Sequence, residues 1–320
     1  MPDPDSIPHG LRARLEQKGA LDRTVVKFQV EGPWNIGEPV HESITHAALQ
    51  ESGLIEKGTQ FNDPAIWEYL RGIFWNDDPE GFFFDRNETQ TDNWSNGIEF
   101  LSNFKSHKSD AMDGMAFGPG TPLLGRSHFG DLQCLHAMAS RDGEPAMHTR
   151  DALLRWAEFF YSVGVGSVAG TETLGSVSVG QIHTWFPASP ISVRTLLLVG
   201  QQGNVRQRAI GALLHIIQDS FAKGHVERNM TGSIMEFHSY VHQDSSKHAQ
   251  DDVVAPGGIE AMPEVQRAIH RCRAVLDLWK TASPWTLVRA HLETHVFALA
   301  PDARPASAGW RSCATGCRIP

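Results

Sequence analysis

Apolar residues recur at helical spacing through most of the chain, and stretches that alternate with period two are scarce. The pattern therefore predicts helices rather than a sheet. Residues 41–54 (HESITHAALQESGL) bring Ile44, Ala47, Ala48 and Leu54 toward one side. Asp63-Pro64 opens a second helix, because Asp accepts from the free amides of a first turn and Pro has no amide to leave unpaired there. That helix runs through AIWEYLRGIFW and stops at Asn76-Asp77-Asp78-Pro79. Residues 149–161 (TRDALLRWAEFFY) read as an amphipathic helix. Residues 204–219 (NVRQRAIGALLHIIQD) carry Ala209, Ile210, Leu213, Leu214, Ile216 and Ile217, which predicts a helix buried on most sides. Two more helices follow at 263–280 and 284–299, while the Gly-, Pro- and Ser-bearing stretches 117–125 and 164–180 read as loops. The fold class expected is all-α: one mainly helical domain over residues 26–300, between loosely tied ends at 1–25 and 301–320.

Composition sharpens this in three ways. With 41% hydrophobic and 20% charged residues, the chain of 320 residues has material for a core and is not a disordered segment. The 28 Lys and Arg stand against 37 Asp and Glu, a formal net charge of −9, which argues against a non-specific duplex-DNA binder. No run of 18 apolar residues occurs, so no spanning helix is expected. Charged residues interrupt the first thirty positions, no export signal is in view, and a cytoplasmic location is the default expectation, with non-classical export left open. Cys134, Cys272, Cys313 and Cys317 are too few to staple a domain of this size.

Histidine is the unusual entry in the composition, with 16 against 8 lysines. Five of them, His215, His225, His238, His242 and His248, fall within 34 residues. In HIIQDSFAKGH, His215 and Asp219 are four apart at the end of the buried helix, so both side chains lie on one face a turn apart. His225 returns after the turn at Lys223-Gly224. An isolated histidine on an apolar helix is usually a satisfied core residue, and an Asp beside it would be its partner. Burying His and Asp together with a second His close behind is costly without a cation, so a metal is the more economical account. His41-Glu42-Ser43-Ile44-Thr45-His46 is not the HExxH metalloprotease motif, because its histidines are five apart rather than four.

His215-x3-Asp219-x5-His225 resembles the core motif of the zinc-dependent phospholipase C and single-strand nuclease superfamily. Trp34, His41, Asp77 in GIFWNDDPE and His128 in GRSHFGD precede the core in that family's order, so the resemblance covers about residues 34–252. It implies an all-α fold with a cleft holding about three Zn²⁺. Asp77, His128, His215 and Asp219 would hold one zinc, His41 and Asp219 a second, and His225, His248 and Asp252 the third. Two alternatives stay open: His46 in place of His41, and the pair His238 and His242 in place of the preferred His248 and Asp252. The family's Trp usually supplies a terminal amine, whereas Trp34 is internal. The resemblance further implies attack of a zinc-bound hydroxide on a phosphodiester, with Asp77 as the catalytic carboxylate that orients or deprotonates the water. The acidic balance and the segment HESITHAAL favour a phospholipase C acting on phosphatidylcholine-like glycerophospholipids, in transient contact with a membrane surface. A single-strand nuclease or 3′-nucleotidase, with nucleic acid as partner, is the alternative. The non-enzyme alternative is a helical protein with structural zinc.

Overall fold

Helices dominate the chain in the order the apolar pattern implies. The computed structural model describes residues 40–61, 63–82, 90–200, 202–244, 248 and 262–309, with backbone only for 90–98. Its elements are α1 (Val40–Glu51), α2 (Pro64–Asp77), α3 (Gln90–Met112), α4 (Leu123–Phe129), α5 (Ala146–Val165), α6 (Val193–Leu198) and α7 (Val205–Asp219). A small antiparallel hairpin, β1 (Val226–Arg228) and β2 (Ile234–Phe237), leads to α8 (Pro263–Lys280) and α9 (Trp285–His295). The protein is a single, mainly helical domain.

The predicted helix starts have their expected chemistry. Asp63 accepts from the Ala65 amide at 2.8 Å at the head of α2, and Asn204 accepts from Arg206 and Gln207 at the head of α7. Helix α5 is longer than residues 149–161 suggest and stops where Gly166 takes a left-handed conformation, φ 85°. Helix α3 has no counterpart in the apolar pattern. Its side is anchored by Phe100 and Phe104, both buried, while most of its remaining residues are polar. The expected loop at 117–125 gives way to α4 at Leu123. The expected loop at 164–180 begins inside α5, which runs to Val165, and beyond it is irregular apart from a short 3-10 turn at Leu174–Ser176 and the start of another at Val179.

Helix α7 lies at the centre, packed against α2 and α5 and touched by α1, α6 and α8. From Arg208 to Asp219 every residue is buried. Each fully buried Leu or Ile on it contributes about 1.5–3 kcal/mol from surface removed from water. The crossing with α2 is made by two glycines: a Cβ on Gly211 would meet the Tyr69 carbonyl oxygen at 2.1 Å, and one on Gly72 would meet that of Arg208 at 2.1 Å. This backbone-to-backbone approach brings the C-terminal ends of both helices, with Asp77 and Asp219, toward one place.

Residues 301–309 are not a loose tail. Ala300 and Arg304 donate to Ile234 and Met235 on β2, Ala306 donates to Glu144, and Ser307 accepts from Ser239. The Ala306 carbonyl in turn accepts from the Gly143 amide. Among the described residues no helix is long and apolar enough to cross a membrane.

Candidate metal centre

The centre forms where α2 and α7 end. Asn76, fully buried, fixes that corner by donating to the Leu135 carbonyl at 2.7 Å and, at 3.4 Å, to Ala212 on α7. It thereby ties the 3-10 turn Gln133–His136 to both helices. His136 projects from that turn beside Asp77.

Four ligand atoms converge there. Asp77 Oδ1 is 3.7 Å from His136 Nδ1 and 3.8 Å from His215 Nε2. Asp219 Oδ2 is 3.2 Å from His136 Nδ1 and 2.8 Å from His215 Nε2, and the two ring nitrogens are 3.3 Å apart. Ligands bound at about 2.0–2.1 Å around a tetrahedral zinc stand about 3.3–3.4 Å from one another. The five separations given bracket that figure, so Asp77, His136 and His215 form a donor set that fits such an ion.

Asp219 has a second oxygen, and it faces elsewhere. Oδ1 is 3.1 Å from His41 Nε2, whose ring stacks on His215 with centroids 4.6 Å apart. His41, His215 and Asp219 form one group that could hold a metal ion, and Asp77, His136 and His215 form another. The alternative His46 points away: its Nε2 lies 2.6 Å from the Thr59 carbonyl and its ring stacks on Phe61.

A third locus lies beyond. His225 Nδ1 donates to the His136 carbonyl at 2.5 Å, which leaves its Nε2 facing His248 Nε2 at 3.1 Å. His248 Nδ1 donates to Gln243 Oε1 at 2.6 Å, and Gln243 Nε2 donates back to the Gly224 carbonyl at 2.9 Å. His41 is set the same way, its Nδ1 donating to Gln218 Oε1 at 2.7 Å. Hydrogen bonding at the far nitrogen fixes the tautomer and aims the near one, as ligand histidines require. The other pair weighed for this locus is not assembled: His238 Nδ1 donates to the Gly224 carbonyl, and His242 is exposed against Asp142 at 2.8 Å. Asp252 and Trp34 lie outside the described residues.

The electrostatics follow from this crowding. Burial pushes the Asp219 carboxyl upward, but His215, His225 and His41, with the hydrogen bond from His136, outweigh it and hold the group well below the usual carboxylate range. Burial, reinforced by His136, takes the His128 imidazole down to about 3, against the raising effect of Asp77.

The structure thus brings together His41, Asp77, His215, Asp219, His225 and His248. His128 belongs to neither group of three; its Nδ1 lies 3.1 Å from the Leu124 carbonyl and its ring lies 4.6 Å from that of His136, which joins Asp77 and His215. His136 carried no motif that sequence reading could use. Its signal is only its place eight residues after His128, on a turn too short to show a period. Rings also border the centre: Phe104 meets His128 at 5.0 Å and Tyr240 meets His248 at 5.1 Å, both edge to face.

No protein-family model matches the chain, and neither a curated protein nor a solved structure matches it significantly. Buried His and Asp groups that could hold a metal ion are therefore read from geometry alone.

Proposed function

We propose that the chain is a zinc-dependent phosphodiester hydrolase of the phospholipase C type, acting on phosphatidylcholine-like glycerophospholipids. One observation carries the reading: Asp219 turns one oxygen to His136 and His215 and the other to His41, as a carboxylate shared by two cations would. The sequence resemblance supports it, because these residues, His136 apart, belong to the motif order of that superfamily. His225 and His248 are the proposed holders of a third zinc, with Asp252 completing it. All-nitrogen and oxygen donors rich in imidazole suit Zn²⁺ better than Ca²⁺ or Mg²⁺. When bound, zinc supplies Lewis-acid stabilisation of phosphoryl oxygens and makes a nearby water more acidic.

The residues supply positioning and proton handling. Asp77 is the most open member of the cluster, its side chain 25% exposed against 2% for Asp219. It is the group placed to orient the attacking water and accept its proton. Asp219, held ionised by the surrounding histidines, stays an acceptor and anchors the histidine rings. Gln218 and Gln243 keep His41 and His248 in the tautomer that presents Nε2.

Two observations favour lipid over nucleic acid as substrate. The net charge is −9, and the rings bordering the centre, Phe104 and Tyr240, are buried, so neither offers a free face to an unstacked base. A purely structural zinc is disfavoured by the exposure of Asp77, since structural sites are closed. The test is a side-by-side assay on phosphatidylcholine, single-stranded DNA and 3′-nucleotides, with and without chelator. Chelator-sensitive release of phosphocholine is expected; activity confined to the nucleic-acid substrates, or to none, overturns the reading.

A further inference from the structure

Along the buried side of α3, Phe100, Phe104 and Lys108 recur four apart, a spacing that stacks them on one face of the helix. The two phenylalanines are ordinary core residues, but the third position is not, since Lys108 is only 1% exposed. Burying an ammonium is unfavourable unless its donors are used. A methionine would fill the same length of stripe without that penalty. What the nitrogen reaches accounts for the lysine.

Lys108 Nζ donates to the Gln243 carbonyl at 3.2 Å and stands 4.5 Å from the centre of the Tyr240 ring, within cation–π range. Both contacts fall on the segment that leads to His248. Tyr240 meets the His248 ring edge to face at 5.1 Å, and its amide donates to Gln133 Oε1 at 3.0 Å, on the turn that bears His136. The His248 amide donates to the Asp244 carbonyl at 3.0 Å, which ties His248 back to the residue after Gln243.

Each polar group of Gln243 is engaged. Its amide donates to the Tyr240 carbonyl at 2.9 Å. Its Nε2 donates to the carbonyls of Gly224 at 2.9 Å and Ala308 at 3.3 Å, and carbonyls only accept. Its Oε1 therefore faces His248, whose Nδ1 carries the proton and whose Nε2 turns a lone pair toward His225. The main-chain carbonyl is the group that Lys108 holds.

We propose that Lys108 is a positioning residue for the third metal locus: through the Gln243 carbonyl and the Tyr240 ring it keeps His248 where its Nε2 can share a cation with His225. The inference rests on the zinc reading above and adds to it a residue outside the ligand set. By charge alone an ammonium would repel a nearby metal ion, so removing it would tighten zinc. Positioning predicts the opposite sign.

The experiment is stepwise removal of zinc from the full chain by a competing chelator, with His248→Ala marking the step that belongs to this locus. Lys108→Met keeps the apolar stem and removes both donors and charge. It should release that one zinc about tenfold more readily, while the zincs that share Asp219 and the circular dichroism stay as they are. Lys108→Arg, which keeps a charged donor, should recover most of the loss. Because Lys108 acts through Gln243, adding Lys108→Met to Gln243→Leu should weaken retention no further than Gln243→Leu alone. Tighter zinc in Lys108→Met, equal loss of every zinc, the same loss in Lys108→Arg, or additive losses in the double variant overturns the proposal. Unchanged retention in Lys108→Met also overturns it, while leaving the zinc reading intact. A native chain that takes up no zinc removes both. Selective loss of the one zinc, in a chain that releases no phosphocholine, supports the positioning role and removes the phospholipase reading.

Discussion

Replacing Gly211 by Ala tests whether the α2–α7 crossing builds the candidate metal centre. The new Cβ would stand 2.1 Å from the Tyr69 carbonyl oxygen and 2.8 Å from Gly72 Cα. The shortest ordinary carbon-to-oxygen approach is about 3.3 Å, so the helices must part by about 1 Å. Overpacking of this kind costs about 1–3 kcal/mol. Asp77 sits at the end of one helix and His215 and Asp219 at the end of the other, so parting also stretches the 3.8 Å separation of Asp77 Oδ1 and His215 Nε2. Denaturant unfolding should show the loss of stability, and titration with a competing chelator should show zinc held at least about tenfold less tightly, as when a ligand's support is lost. Gly118→Ala is the control, because a Cβ there meets nothing within 4 Å. Gly72→Ala should behave like Gly211→Ala, and the double variant should cost less than the sum, since one parting admits both methyl groups. An unchanged unfolding midpoint with unchanged zinc retention in Gly211→Ala would refute the reasoning.

Three further outcomes follow from the geometry. Gln243→Leu removes the acceptor that aims His248 and should weaken zinc retention about 10–100-fold, whereas Gln243→Glu keeps an acceptor and should retain metal; equal loss in both would show a packing effect only. His41→Ala should lower zinc content while His46→Ala leaves it unchanged, as read by elemental analysis. In metal-free protein, the unfolded His128 takes up a proton near pH 6.5 but the folded one only near 3. Between those values the unfolded state binds more protons, so stability falls as pH falls, by at most about 1.4 kcal/mol per pH unit from this residue. His128→Leu should flatten the stability profile between about pH 6.5 and 4.5, above the range where Asp219 contributes; an unchanged slope there counts against the buried neutral imidazole.

Much of this was legible in the amino-acid order, for reasons that differ by element. Helices α1, α2, α7 and α8 announce themselves because their apolar stripes are dense and Asp63, Pro64, Asn204 and Pro263 mark the starts. Helix α3 stays hidden because its buried stripe is thin and its other positions are polar. The pairing of His215 with Asp219 follows from helical spacing alone. His136 does not, since it reaches the cluster only because Asn76 fastens the Gln133–His136 turn to two helices distant in sequence. The packed segment 301–309 is illegible for a related reason: its ties are backbone hydrogen bonds to β2 and Glu144, which leave no mark on side-chain pattern.

If one carboxylate is shared between two metal positions, Asp219 is that carboxylate, and its loss empties both. Elemental analysis of the purified full chain and of Asp219→Asn, both checked for helicity, tests it most directly. The account predicts about three zincs in the native chain and loss of the two that share Asp219, with phosphodiesterase activity lost alongside. A folded native chain carrying no zinc after purification with zinc present, or an Asp219→Asn protein with full zinc content and full activity, would contradict it.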